Sequence, residues 1–237
     1  LLTGATLIVK RIRGIRRAAM APVIPTTTGQ AVLIDCGANA ECTAEYLLQF
    51  AFLGSFYAQK VCGVENPRVG LLNIGAEEEK GDALRHEAYA LLKEAGEAGR
   101  LNFVGNVEAN DAMLGAVDVI VTDGFTGNVL LKSMEGVGKF LLTELKSVFL
   151  TNTRTKIAAG LVKGDLAGLK KQMDPGEVGG TPFLGITKPV IKAHGSSNAR
   201  AISNAILRAK EYAQSGFIGE IEANIEHMRV QTRVEKS

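Results

Sequence analysis

Short β-branched runs, each ending in a turn of Gly, Asn, Asp or Ser and each followed by a segment of helical periodicity, recur along the 237 residues. That alternation constrains the chain more than any other feature. Parallel strands need crossover connections, and helices supply them, so the pattern predicts an α/β sheet protein. The first unit is the apolar run at 31–39, AVLIDCGAN, with a helix predicted over 44–61 from the recurrence of Tyr46, Leu47, Phe50 and Leu53. Further strands are predicted at 68–75, 101–108, 117–123 and 189–193, and further helices over 83–95, from near Asn128, and over 199–213. One domain covering residues 1–237 accommodates all of them.

Residues 134–173 break the rhythm. They read as two amphipathic helices, separated by a polar TNTRT stretch, that project from the sheet as a hairpin. From Lys132 to 173 there are eight Lys or Arg against three Asp or Glu. Such a hairpin suits an anionic lipid surface, with Leu161, Val162 and Leu166 at the membrane tip, or a dimer contact through the first helix. No run of 18 apolar residues suggests a membrane span.

Composition removes several function classes. With 46% hydrophobic and 22% charged residues the chain is not a disordered one. A net charge of +2, from 27 basic and 25 acidic residues, gives no overall grip on nucleic acid. One dense basic patch stands out, Lys10, Arg11, Arg13, Arg16 and Arg17, and fits either a solvated edge or an acidic protein partner. Three cysteines without a CxxC and three scattered histidines offer neither a disulfide framework nor a metal site, so no metal is expected and the thiols read as structural in a reducing cytoplasm. No GxGxxG follows a strand, and the Gly138-Lys139 pair lacks the first glycine of a Walker loop, so no nucleotide cofactor is called for.

The polar clusters sit where strands feed helices, the usual ligand position of an open α/β sheet. In HGSSN, His194, Gly195, Ser196, Ser197 and Asn198 combine a permissive backbone, two hydroxyls and a helix start, which suits phosphate; the alternative is a plain helix cap. In DGFTGN, Asp123 ends a strand, Gly124 and Gly127 frame a turn, and Asn128 is a candidate oxyanion donor; the alternative is an Asp-stabilised turn. In NIGAEEEKG, Asn73 and Gly75 close a strand, the glutamates read as a solvated face, and Lys80 is a cation placed to balance phosphate.

DCGAN at 35–39, ENPRVGLLNIG with the following E and KG at 65–81, GNVE at 105–108, DGFTGNVLLKSMEG at 123–136 and AHGSSNA at 193–199 together resemble the bacterial phosphate acyltransferase family. The motifs occur in family order. The resemblance implies a three-layer α/β/α fold similar to isocitrate and isopropylmalate dehydrogenases and to phosphotransacetylases. It implies a homodimer, peripheral on the inner face of the membrane, that converts acyl-[acyl carrier protein] and inorganic phosphate into acyl phosphate. A glycerol-3-phosphate acyltransferase then consumes the product in phospholipid synthesis. Asp123, Asn128, His194 and Lys80 become candidate catalytic residues, and Asn73, Gly75, Gly124, Gly127, Gly195, Ser196, Ser197 and Asn198 candidate phosphate or substrate ligands. The family's opening DAMGGD strand and SxGNTGA loop have no counterpart here. Because the chain opens at Leu1 without a Met, the expectation is that this N-terminal part of the domain is missing.

Overall fold

A computed structural model describes residues 1–172, 179–195 and 197–230. A short helix α1 (Leu2–Gly4) continues as a π-helical turn over Ala5–Lys10. The strands are β1 (Ala19–Met20), β2 (Val23–Thr26), β3 (Gly29–Ile34), β4 (Arg68–Leu72), β5 (Asn102–Val107), β6 (Val119–Val121), β7 (Thr181–Leu184) and β8 (Val190–Lys192). The remaining helices are α2 (Ala44–Lys60), α3 (Ala83–Glu97), α4 (Ala109–Met113), α5 (Gly124–Leu150), α6 (Thr153–Gln172), α7 (Ala199–Gln214) and α8 (Phe217–Asn224).

The central sheet has the order β2-β3-β6-β4-β5, with β3, β6, β4 and β5 parallel and β2 an antiparallel edge joined to β3 by a tight hairpin. Val32, Leu33 and Ile34 lie opposite Val119, Ile120 and Val121. Successive side chains of a strand point to opposite faces, and the cores divide accordingly. Val32, Ile34, Val69, Leu71, Val119 and Val121 face a core with α2, α3 and α8. Ala31, Leu33, Leu72 and Ile120 face the other core, closed by α4, the first turns of α5 and the β1-β7 strands. Runs apolar on both faces are what a doubly covered parallel strand requires. On the first face, the rings of Tyr57, Tyr212 and Phe217 meet edge-on at 5.1 to 5.8 Å between centroids and clamp α7 and α8 to α2.

Two expectations are corrected. The 189–193 strand is not part of the parallel sheet: β8 belongs to a separate antiparallel sheet of order β1-β7-β8. The helix after Asp123 begins at Gly124, not near Asn128, and runs unbroken for 27 residues. The expected hairpin corresponds to α6 and the part of α5 beyond its first turns, which pack on the sheet through Leu130, Leu131 and Met134; Met173, its expected last residue, lies outside the described residues. Its buried and half-buried residues, Gly138, Leu142, Leu145 and Phe149 on α5 with Ala159, Val162 and Leu166 on α6, mark the faces the two helices turn to each other. Leu161 is 82% exposed and Ile157 63%, so the open apolar face of α6 carries these two, while Val162 and Leu166 lean inward.

Candidate functional site

Because β3, β6 and β4 run parallel and adjacent, their carboxyl ends deliver Asp35, Asp123 and Asn73 to one edge of the sheet. Each strand is followed there by a helix with a side-chain cap: Thr43 accepts from the Tyr46 N–H, Asp82 from Arg85 and Asp123 from Thr126. Three helix N-termini, with their positive dipole ends, thus rise from the same edge.

Asp35 is wholly buried and organises the first loop. Its Oδ1 accepts the N–H groups of Met20 (2.8 Å), Cys36 (2.6 Å) and Ala38 (3.2 Å), and its Oδ2 accepts the N–H and the side-chain amide of Asn39 (2.6 and 3.0 Å). Burial outweighs these donors and raises its pKa above the usual carboxylate range. The bond from Met20 also fastens the small sheet to the large one, because Met20 pairs with Phe183.

Asp123 holds the second loop. One oxygen caps α5 at the Thr126 N–H (2.8 Å); the other accepts the Thr126 hydroxyl (2.8 Å) and the Arg85 guanidinium. Arg85 in turn reaches Asp82 at 3.0 Å and Thr126 Oγ1 at 3.1 Å, locking the first turn of α3 to that of α5. Burial alone would raise the Asp123 pKa, but the Thr126 bonds and the Arg85 charge overcome it and hold the carboxyl below its ordinary value. Gly124 and Gly127 are buried because α5 starts directly on the Asp35 loop. A Cβ at Gly124 would stand 2.5 Å from the Asn39 carbonyl oxygen, and one at Gly127 would stand 2.0 Å from that of Asp35. The Gly124 N–H donates to Asn39 O at 2.8 Å.

The third loop is folded back by Asn73, whose amide donates to Lys80 O (2.9 Å) while its oxygen accepts the Ile74 N–H (2.8 Å). Gly81 fits against it with φ +98°. Lys80 lays its stem over buried Gly75, and its ammonium holds no ion pair among the described residues. Asn128 is exposed on the second turn of α5 over Gly37, its amide free of hydrogen bonds among the described residues.

The structure therefore unites Asn73, Gly75, Lys80, Asp123, Gly124, Gly127 and Asn128 along one edge. The HGSSN turn is carried differently, by β8. Lys192, two residues before His194, reaches the Met20 sulfur at 3.8 Å, which links this strand to the Asp35 loop. His194 and Gly195 are exposed, the Ser197 N–H donates to His194 O at 3.0 Å, and Ser196 lies outside the described residues. Asn198 takes the capping role, accepting the Ala201 N–H at 2.9 Å.

Sequence reading missed Arg85 and gave Asp35 and Asn39 no role. A charged residue directly after the apolar run AVLI was the available signal for Asp35. Arg85 gave none, since its partner lies 38 positions away. The thiols behave as structural ones: burial pushes Cys36 and Cys42 up to about 12 and Cys62 to about 11. Only Cys36 is fully buried; Cys42 and Cys62 are half-buried, and all three are free. No metal-holding cluster occurs among the described residues. The edge is thus a fixed frame of helix dipoles, one buried ion pair and exposed amide and ammonium donors. It is equipped to hold and polarise an anion rather than to supply a nucleophile.

The chain is similar to known proteins. The phosphate acyltransferase of Thermoanaerobacter pseudethanolicus is 49% identical over 228 residues, 96% of this chain and 68% of that protein. That of Acetivibrio thermocellus is 46% identical over 231 residues, 98% of this chain and 67% of the relative. The chain thus spans about two thirds of the length of these relatives. In fold it is similar to a phosphotransacetylase from Staphylococcus aureus (TM-score 0.57, 15% identity, 88% of this chain and 58% of the other). It is also similar to one from Streptococcus pyogenes (TM-score 0.54, 18% identity, 89% and 59%). Residues 1–220 match the family described as Fatty acid synthesis protein. The chain belongs to that family, and the two relatives above are phosphate acyltransferases.

Proposed function

We propose that the enzyme takes its acyl group from acyl-[acyl carrier protein] and transfers it to inorganic phosphate, yielding acyl phosphate and free carrier. The observation that carries this reading is the convergence of three capped helix N-termini, with Arg85 held between Asp82 and Asp123, on one edge of the sheet. A phosphate oxygen attacks the thioester carbonyl carbon, a C–O bond forms, and the carbonyl oxygen becomes an oxyanion. Collapse breaks the C–S bond and the carrier leaves as a thiolate, which is then protonated. Phosphate is the nucleophile and a thiolate leaves readily, so the protein's task is placement and charge stabilisation. Lys80, Asn73 and the backbone around Gly75 hold the phosphate, and His194, Gly195, Ser196 and Ser197 supply further ligands; Gly124 and Gly127, whose N–H groups donate to Asn39 O and Asp123 O, instead seat α5 on the Asp35 loop and are not phosphate ligands. Asn128 or His194 donates to the oxyanion. Thiols with raised pKa values support a route without an acyl-cysteine.

In this reading residues 1–237 form one acyltransferase domain, dimeric in the full-length protein. Its product is consumed by a glycerol-3-phosphate acyltransferase, on the way to phosphatidic acid. The test compares carrier-protein and coenzyme A thioesters with the full-length enzyme. Acyl phosphate formed preferentially from the carrier thioester is expected; turnover of short coenzyme A thioesters alone would replace the reading with a phosphotransacetylase.

The hairpin is assigned to the membrane surface at the inner face of the cell membrane. No described helix is long and apolar enough to cross a membrane, whereas Ile157 and Leu161 stand open beside basic residues. Burying such a side chain is worth about 1.5–3 kcal/mol. The Ile157→Asp, Leu161→Asp variant is therefore expected to lose sedimentation with anionic vesicles by more than about tenfold, with turnover in solution unchanged. Undiminished sedimentation would remove the hairpin from this role.

A further inference from the structure

We propose that the arginine loop from Lys10 to Arg17 is the surface on which an acidic carrier protein docks to present its thioester. The inference rests on the carrier-dependent reaction proposed above and assigns it a place on the enzyme. The first 34 residues contain five Lys or Arg and no Asp or Glu, in a chain whose net charge is only +2. The loop sorts its side chains by alternation. Ile12 and Ile15 are 2% and 5% exposed and anchor it in the core, while Lys10, Arg13, Arg16 and Arg17 face solvent.

The loop is held in one shape. Its Ile12 N–H donates to Gly185 O (3.0 Å), and Arg16 N–H donates to the Gln49 side-chain oxygen (2.8 Å). The Gln49 amide then donates to Gly14 O and Met228 O (3.1 and 3.2 Å). Gln49 is itself wholly buried, so these bonds are shielded from water. Arg11, Arg16, Arg17 and Tyr46 rim an open hollow of about 360 Å³. Arg17 lies 5.7 Å from the centre of the Tyr46 ring, and Arg16 pairs with Glu45 at 3.0 Å. Arg11, Arg13 and Arg17 enter no ion pair among the described residues, which leaves their charge for a partner.

Position links the loop to the chemistry. Tyr46 and Glu45 belong to the first turn of α2, which starts at the carboxyl end of β3. Ala18, directly after Arg17, accepts the Asn39 amide at 2.9 Å, the same Asn39 whose carbonyl receives the Gly124 N–H. The arginines therefore stand at the mouth end of the sheet, beside the loops of Asp35 and Asp123. A thioester carried on a protein arrives with that protein parked at this mouth. A preorganised patch of one sign there favours an acidic partner by steering its encounter.

The test uses the full-length enzyme with Arg11→Glu, Arg13→Glu, alongside the milder Arg13→Ala, each checked for an unchanged circular dichroism spectrum. For the double variant KM for the carrier thioester is expected to rise about tenfold or more, with kcat preserved and KM for the uncharged acyl-pantetheine unchanged. Arg13→Ala shifts the same constant in the same direction by less, and added salt narrows the gap between wild type and variants. Carrier KM unchanged in folded variants overturns the assignment while leaving the reaction intact. Loss of anionic-vesicle binding without a change in carrier KM overturns it in favour of a lipid surface. A wild-type enzyme that does not use carrier thioesters at all overturns the underlying reaction first.

Discussion

Replacing Asp123 by Ala is expected to lower turnover of the full-length enzyme by about 100-fold or more and to destabilise it by about 3 kcal/mol. The carboxylate makes three bonds at once: the cap on α5, the Thr126 hydroxyl and the Arg85 guanidinium. Losing the cap costs about 1 kcal/mol. The larger part comes from Arg85, whose side chain is only 13% exposed and would keep its charge with Asp82 as sole carboxylate partner. Asp123→Asn keeps the cap acceptor and removes the charge, so its loss of stability is expected to be smaller. The pH dependence has a definite sign. The folded-state pKa of Asp123 lies below the unfolded value of about 3.9. Its contribution is therefore complete above that value and is lost as pH falls through the folded pKa. Thermal unfolding of wild type and Asp123→Asn from pH 7 to pH 2 is expected to converge at the acid end. Parallel curves would show that the charge carries no stability.

Gly127→Ala is expected to be among the most damaging single-methyl changes in the chain, costing about 3 kcal/mol or more. The new Cβ meets the Asp35 carbonyl oxygen at 2.0 Å. That oxygen is backbone, in a residue whose carboxylate accepts five hydrogen bonds, so it has nowhere to move. Gly136 lies in the same helix, and a methyl group there would meet nothing within 4 Å. Gly136→Ala is therefore expected to stabilise by up to about 1 kcal/mol, the difference in helix propensity. Urea unfolding of the two variants separates packing from propensity; equal midpoints would contradict the close approach of α5 to the Asp35 loop.

The same glycines explain where sequence reading succeeded and where it stopped. The parallel strands were legible because they are apolar on both faces, and α2, α3 and α7 were legible from their periodicity to within two residues at each end. The start of α5 was misplaced because Gly124 and Gly127 look like turn residues. They are helical, and small because another backbone lies against them. Strand β1 has two residues and β7 four, too short for a period-2 signal, so the antiparallel sheet that carries the HGSSN turn was not foreseen. Around the candidate site, residues next to a strand end could be singled out, because each announces itself beside Gly or Asn. Arg85 was not, since its role depends on two helices meeting in space. The Asn198 cap and the Asp123 cap show that the plainer alternatives are realised at both turns.

The central claim is that this edge of the sheet positions phosphate as the nucleophile and supplies no covalent acyl carrier of its own. Rapid-quench measurement of thiol release, with full-length enzyme in excess over acyl-[acyl carrier protein], tests it most directly. Without phosphate, no thiol is expected; with phosphate, thiol and acyl phosphate are expected to appear together at one rate. A burst of thiol in the absence of phosphate, matching the amount of thioester supplied, would reveal an acyl-enzyme and contradict the account.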